Sequence, residues 1–299
     1  MLDNRFQTFL ALCETGSYTK TAELLSMTQP AVSQHIKFLE EYYQVELIAQ
    51  KGKSFALTEE GKALQEYVRT LSANSKRIFS LLHRIKNKQK PVNFGATLTI
   101  GEYMLPPILD QIIKSDPDIE ISMYVENTQV LQEMLWEGKI DFALLEGHFN
   151  RSQFESKLIS NENFIAVCSP ESKLAAKSSS LENILDQNLI LREPGSGTRD
   201  ILEQALYNQN LSIHDFRNQI VIGNMKAIKE LCHHNRGITF MYREAVKKEL
   251  AGGYLKEIPI RDFQISHPFT FVYLQSSPDQ PHLEYWFNRI IRLRKETAH

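Results

Sequence analysis

The sequence predicts an α/β fold in three parts: a small helical head that closes on a β-hairpin, one long helix, and a body of two small α/β lobes. Three observations carry this reading. Residues 3–39 repeat apolar side chains at the three- and four-residue spacing of amphipathic helices, residues 57–85 hold that spacing without a break, and beyond Pro91 short apolar runs alternate with amphipathic stretches. At 299 residues the chain exceeds one typical domain, and with 42% hydrophobic and 23% charged residues its composition is that of an ordinary globular protein. Met1 to Leu12 carries Asp3, Asn4, Arg5 and Gln7, and no apolar run approaches the roughly 20 residues a membrane span needs. Cys13, Cys168 and Cys232 are odd in number, far apart and set in apolar sequence, as buried reduced thiols would be. A cytoplasmic protein with no membrane partner is expected.

In the head, Phe6, Phe9, Leu10 and Leu12 mark one buried helix face, and Gly16 ends that helix. Thr19 can cap a second helix holding Ala22, Leu24 and Leu25, and Ser26-Met27-Thr28 is short enough only for a turn. A third helix follows, capped by Thr28, with Pro30 in its first turn, where the missing N–H costs nothing, and Ala31, Val32, Ile36 and Leu39 inward. Its other side presents Gln29, Ser33, Gln34 and Lys37: amide, hydroxyl and ammonium groups of the kind that read base edges and grip phosphates in a major groove. Val45-Glu46-Leu47-Ile48 and Phe55-Ala56-Leu57-Thr58 flank Lys51-Gly52-Lys53, a hairpin whose basic tip would lie on a phosphate backbone. Taken singly, these features also suit a plain helical core with a solvated polar face. Residues 1–90 carry 13 Lys and Arg against 9 Asp and Glu, a net of +4, whereas the rest of the chain is at −6. A mildly basic front thus precedes an acidic body.

From Leu57 to Ile85 the seam Leu57, Gly61, Leu64, Val68, Leu71, Ser75, Ile78, Leu82, Ile85 steps alternately by four and three, the repeat of a coiled coil. About 30 residues of helix extend roughly 45 Å, too far to be covered by a 60-residue head. A second copy of the chain, or the chain's own body, must take up the seam. Lys76, Arg77, Arg84, Lys86, Lys88 and Lys90 then form a basic run ending at Pro91.

The body reads as strands near Phe94–Ile100, Ile119–Val125, Ile140–Leu145, Phe164–Cys168, Leu189–Leu191, Ile220–Ile222, Gly237–Met241 and Phe269–Tyr273, with helices between them, which predicts mainly parallel sheets. Ligands in such folds settle at strand carboxyl ends, where helix N-termini offer free N–H groups. Thr97-Leu98-Thr99 lies at one such junction and "REPGSGTR" (192–199) at another. Gly195 and Gly197 permit tight turns there, and Ser196, Thr198 and nearby amides could surround an anion; an ordinary capped helix start reads the same way. Asn127-Thr128 and Gly223-Asn224 look like structural caps.

The segment "SYTKTAELLSMTQPAVSQHIKFLEE" (17–41), followed by a wing and "LTEEG" (57–61), resembles the DNA-binding half of the LysR-type transcriptional regulators. The resemblance implies a winged helix-turn-helix over 1–58, a linker and dimerisation helix over 59–90, and an effector-binding domain over 91–299. That domain would have the type-II periplasmic-binding-protein fold, with lobe I at 92–162 and 266–299 and lobe II at 163–265. It implies double-stranded promoter DNA as partner, contacted by Gln29, Pro30, Ser33, Gln34 and Lys37 on the recognition helix and by Lys51 and Lys53 in the wing. It also implies a homodimer or homotetramer, RNA polymerase as a further partner, no metal or cofactor, and a small effector held by Thr97, Thr99, Glu146, Ser196, Gly197 and Thr198. Hydroxyls and helix dipoles favour a small anion or carboxylate there. Two departures stand out: Tyr42-Tyr43 replaces the family's usual Leu-Gly, and Gln50-Lys51 replaces its usual wing Arg. "TIGEYMLP" (99–106) with "REPGSGTR" is similar to the branch that regulates sulfur assimilation or carbon fixation.

An enzyme would need a nucleophile with its base, paired acids or a metal set. Cys232-His233-His234 is the nearest approach, but adjacent helical residues do not converge on one ion and no other cluster completes four ligands. Glu146 and His148 together make no catalytic case. The remaining alternative is a two-lobed small-molecule-binding protein with no regulatory role, which leaves the N-terminal reading head unexplained.

Overall fold

The computed structural model describes residues 3–51, 54–87, 91–146, 149, 153–176 and 179–297. They fall into two compact units: residues 1–88 with 136–139 and 274–279, and the remainder of the chain.

The first unit begins with α1 (Asn4–Thr15), which Asp3 starts by accepting from the amide of Arg5 and Gly16 stops at φ 63°. α2 (Tyr18–Leu24) is capped by Ser17, two residues before the expected Thr19, and Leu24 points to solvent rather than inward. α3 (Gln29–Tyr43) starts as expected: the hydroxyl of Thr28 accepts from the amide of Ala31, and Val32, Ile36 and Leu39 are buried. They pack with Phe9, Leu12 and Leu47 into the core of the head. At the end of α3 the left-handed residue is Gln44, at φ 57° and ψ 38°. The turn is made there by a residue other than glycine, at the cost of about 1–2 kcal/mol that a Cβ adds in that conformation. β1 (Ile48–Lys51) and β2 (Ser54–Leu57) pair antiparallel from Ile48 opposite Leu57 to Lys51 opposite Ser54. Lys53, at the tip, lies outside the described residues, as does the side chain of Lys51.

α4 (Glu59–Asn87) follows as one 29-residue helix. The hydroxyl of Thr58 accepts from the amide of Gly61 at 2.9 Å and donates to the carbonyl of Glu46 at 2.6 Å, tying the helix start to the wing. Gly61 is required there, since a Cβ would stand 2.1 Å from the carbonyl oxygen of Leu47. Along the seam Val68 is fully buried, whereas Ile78, Leu82 and Ile85 are 38%, 57% and 66% exposed. Segments 136–139 and 274–279 cover the middle of the helix, where Asn74 Nδ2 donates to the carbonyl of Ser276 at 2.9 Å.

The second unit alternates strand and helix: β3 (Val92–Ala96), a π-helical turn (Ile100–Met104) running into α5 (Leu105–Ser115), β4 (Ile121–Val125), α6 (Thr128–Trp136) and β5 (Phe142–Leu145). Next come β6 (Phe154–Cys168), β7 (Asn188–Leu191), α7 (Gly197–Tyr207), β8 (Asn218–Val221), α8 (Met225–His233) and β9 (Thr239–Tyr242). α9 (Arg243–Ala251), β10 (Lys256–Ile258), β11 (Ile265–Leu274) and α10 (Gln280–Thr297) complete it. The largest sheet runs β10-β6-β11-β5-β3-β4, with β9 also on β6; β7 and β8 form a parallel pair. The sheets are less parallel than the alternation predicts. β3 is parallel to β4 and β5, but β11 runs antiparallel to β5, and β6 antiparallel to both β9 and β10. Two long strands, β6 of 15 residues and β11 of 10, carry the chain between the two groups of strands, so each meets neighbours of opposite direction.

Candidate functional site

On the head, Gln29, Pro30, Gln34 and Lys37 are exposed and Ser33 is half-buried. Gln29, Ser33 and Lys37 succeed one another at four-residue steps on one helix face. Gln29 Nε2 donates to Ser33 Oγ at 3.2 Å, and Lys37 Nζ lies 3.6 Å from Glu41, an exposed pair that holds the ammonium only weakly. The donor and acceptor groups are therefore presented together, backed by Val32 and Ile36. Behind them Arg5 stacks its guanidinium on Phe38 at 3.7 Å, and Tyr42 meets Tyr43 edge-on.

In the body, segments far apart in sequence meet around Glu146. A cavity of about 190 Å³ is lined by the ends of β3 and β4, by Glu146 after β5, and by Arg192, Glu193, Ser196 and Gly197 between β7 and α7. All six residues expected at the effector site gather here. Thr99 Oγ1 donates to Glu146 Oε1 at 3.0 Å, and Thr198 Oγ1 to the same oxygen at 3.4 Å. The amide of Glu146 donates to Thr97 Oγ1 at 3.4 Å, and Thr128 Oγ1 donates to the carbonyl of Glu146 at 3.3 Å. Gly197 allows the approach, since a Cβ there would stand 3.2 Å from the carbonyl oxygen of Glu146. Thr97 and Thr99 do not close a strand as expected; β3 ends at Ala96, and they begin the helical backbone. That places both hydroxyls at a helix start.

The electrostatics are unusual for a surface cleft. Glu146 is buried, and burial pushes its carboxyl up to about 7 against the pull of the Thr99 hydrogen bond, the Arg192 charge and the Thr198 hydrogen bond. Its second oxygen, Oε2, is buried without a hydrogen-bond partner, as is the hydroxyl of Tyr242. Burial, then the charges of Glu146 and Glu162, raise the Tyr242 hydroxyl, so it stays neutral. Arg192 is bound bidentately by Glu193, both contacts at 2.7 Å, which holds the Glu193 carboxyl below its ordinary value. At the start of α7, Ser196 makes no side-chain cap, which leaves the first amides of the helix to the cleft.

Among the described residues no group of three or more His, Cys, Asp and Glu could hold a metal ion. Cys232 donates its thiol to the carbonyl of Val167 at 3.4 Å in the core, whereas His233 stacks on Tyr254 at 3.6 Å. A larger cavity of about 640 Å³ beside β10 and β11 gathers no buried polar cluster, and its Arg243 is paired with Glu257.

Residues 4–62 match the family model described as bacterial regulatory helix-turn-helix protein, lysR family, and residues 86–293 match that of the LysR substrate binding domain. The chain belongs to the LysR family of transcriptional regulators. One relative, the HTH-type transcriptional regulator CysL of Bacillus subtilis, is 28% identical over 272 residues, 89% of each chain. Among solved structures, a hydrogen-peroxide-bound OxyR mutant from Corynebacterium glutamicum superposes with a TM-score of 0.64 at 21% identity, covering 98% of this chain and 92% of that one. The CcmR regulatory domain of Synechocystis in complex with 2-PG gives 0.61 at 19% identity, covering 69% and 98%. The architecture of this LysR-type chain is accordingly a winged helix-turn-helix, a long linker helix and a two-lobed effector domain of the type-II periplasmic-binding-protein fold. No helix among the described residues is long and apolar enough to cross a membrane.

Of the residues that lie together at this cleft, the LysR resemblance names Thr97, Thr99, Glu146, Ser196, Gly197 and Thr198. It passed over Arg192 and Glu193, although both stand inside "REPGSGTR", and over Tyr242. Asn127 caps α6 by accepting from the amide of Val130, while the neighbouring Thr128 hydroxyl serves the cleft.

Proposed function

We propose that this LysR-type regulator binds promoter half-sites as a homodimer or homotetramer in the cytoplasm, and that a small anion or carboxylate in the Glu146 cleft alters its DNA binding or its contact with RNA polymerase. Gln29, Pro30, Ser33, Gln34 and Lys37 contact DNA from α3, with Lys51 and Lys53 on the phosphates. Residues 1–58, 59–90 and 91–299 act as reader, linker and sensor, with the cleft between lobes at 92–162 with 266–299 and 163–265. The effector is held by Thr97, Thr99, Glu146, Ser196, Gly197 and Thr198. The observation that carries the anion reading is the uncapped start of α7 at Ser196, opening onto a cavity walled by hydroxyl groups. The 2-PG complex of the CcmR domain, whose fold is shared, supports it as well. Only a ligand that favours one of two arrangements of the regulator can change its DNA binding.

The test is fluorescence anisotropy on fragments from the region upstream of the protein's own gene, at low salt and with small anions added. Wild-type protein should retain a fragment and change its affinity with one anion class. The double variant Thr99→Ala/Ser196→Ala should retain DNA binding and lose that change. Retention of no fragment at low salt would remove the regulatory reading.

A further inference from the structure

An anion entering the cleft meets Glu126, Glu146 and Glu193 and, among the described residues that line it, one cation, Arg192, which Glu193 already holds bidentately. Arg199, on the first turn of α7, is likewise occupied by Glu203 and by the carbonyl of Arg192. The remaining polar groups against Glu146 are the hydroxyls of Thr97, Thr99, Thr128 and Thr198 and, from β9, the neutral Tyr242. Thr99 and Thr198 both donate to Oε1. Oε2, on a carboxyl that is 2% exposed, has no donor among the described residues. A buried acceptor left without a donor costs free energy that a ligand supplying one recovers.

We propose that the ligand of this cleft is an oxyanion that retains an O–H group near neutral pH, hydrogenphosphate being the simplest. A turn of the Glu146 side chain brings Oε2, which is covered in this structure, to the ligand; Oε2 accepts the ligand's O–H while the ligand's other oxygens accept from the amides at the start of α7. The inference rests on the anion reading above and adds the requirement for a proton. One proton lies between ligand and carboxyl in the complex, so the acidic lining need not expel the anion. The cavity, about 190 Å³, accommodates such a group with a short substituent. An oxyanion of the same charge and size without an O–H has to wait until Glu146 itself is protonated, which the raised carboxyl makes accessible just below neutral pH.

Hydrogenphosphate and sulfate are the probes, because above about pH 8 they share charge and shape and differ by one O–H. Isothermal titration calorimetry on the full chain at about pH 8.5 should give phosphate an affinity at least about tenfold above that of sulfate, since a site with a buried unpaired acceptor discriminates against the ligand that lacks the donor. Lowering the pH to about 6 should raise sulfate affinity at least about tenfold by protonating Glu146. In Glu146→Gln the preference should fall within about threefold, and the pH effect on sulfate should vanish. Sulfate binding as tightly as phosphate to wild type at about pH 8.5, or a preference that survives Glu146→Gln, would overturn the inference. If in that case Ser196→Ala/Thr198→Ala still abolished binding, the anion reading would stand without it. Binding of neither ion at any pH tested would overturn this inference, and would remove the anion reading as well if small carboxylates also failed to bind.

Discussion

The helix proposed to face DNA and the proposed effector cleft are both built on helix N-termini, yet the two are finished differently. At α3 the hydroxyl of Thr28 closes the helix start, and the working groups of Gln29, Gln34 and Lys37 stand outside on an exposed face over a packed core. At α7 the hydroxyl of Ser196 closes nothing, and the working groups turn inward around a buried carboxyl with one unmatched oxygen. A surface that reads a large polyanion can be fully satisfied before its partner arrives, because DNA displaces only water. A cleft that must respond to a few atoms keeps unsatisfied groups, because those are what the ligand changes.

The largest effect should come from the helix between them. Leu82 and Ile85 are more than half exposed on a seam of coiled-coil spacing, and the head between Gly16 and Thr58 carries four Lys against four Glu. Its affinity has to come from two heads presented together. Leu82→Glu with Ile85→Glu should reduce the mass seen by analytical ultracentrifugation to that of the monomer and weaken promoter binding by about 10²–10⁴-fold. Unchanged mass would show that this seam is not where copies meet.

The next effect separates the two regions by pH. Burial raises the Glu146 carboxyl from 4.5 to about 7 in the folded protein, so the fold favours the neutral form. Below about pH 4.5 both folded and unfolded chains hold the proton and the residue has no effect. Between 4.5 and 7 the unfolded chain gives up its proton first, and stability falls with rising pH until the full penalty is reached above 7. Glu146→Gln, which cannot ionise, should be more stable than wild type by about 3 kcal/mol at pH 8 and equal to it near pH 4.5. Denaturant unfolding at the two pH values reads this directly, and an equal difference at both would locate the effect in packing instead of charge. No such pH dependence should follow a change on the head, where Gln34→Ala should cost promoter affinity about 1–3 kcal/mol per recognised base contact and leave unfolding unaltered.

How far each region could be read from the sequence follows the same divide. The head is written in local signals: Thr28, Pro30 and the spacing of Val32, Ile36 and Leu39 each act within a turn or two, and the structure keeps them. The cap of α2 is Ser17 where Thr19 is expected, because the signal there is local but duplicated, two hydroxyl residues standing two apart at one helix start. The cleft depends on convergence across about 145 residues, from Thr97 to Tyr242, and periodicity says nothing about which loops meet. Thr97 and Thr99 read as strand because they are β-branched, and packing instead ends the strand before Thr97 and places Thr99 in helical backbone. After Phe154 the first two-thirds of β6, up to Asn163, is mostly polar and exposed or half-exposed, so it carries no apolar run to betray a strand. Direction is equally silent: alternation of strand and helix suggests parallel ladders, but β6 and β11 reverse it by crossing between the strand groups.

The smallest effect gives the sharpest form of the comparison, since it makes the same chemical change at both helix starts. In Thr28→Ala the amide of Ala31 loses its partner, and the head should lose about 1 kcal/mol of stability with a proportionate loss of promoter affinity, because the recognition helix frays at the end that holds Gln29 and Pro30. In Ser196→Ala no cap bond is lost, so unfolding should shift by no more than about 0.5 kcal/mol. The anion response should nevertheless disappear, because the hydroxyl that leaves is one of the groups around the ligand. Equal destabilisation by the two substitutions, measured side by side in denaturant, would mean that Ser196 holds α7 together and that the cleft lacks the open helix end on which its anion reading depends.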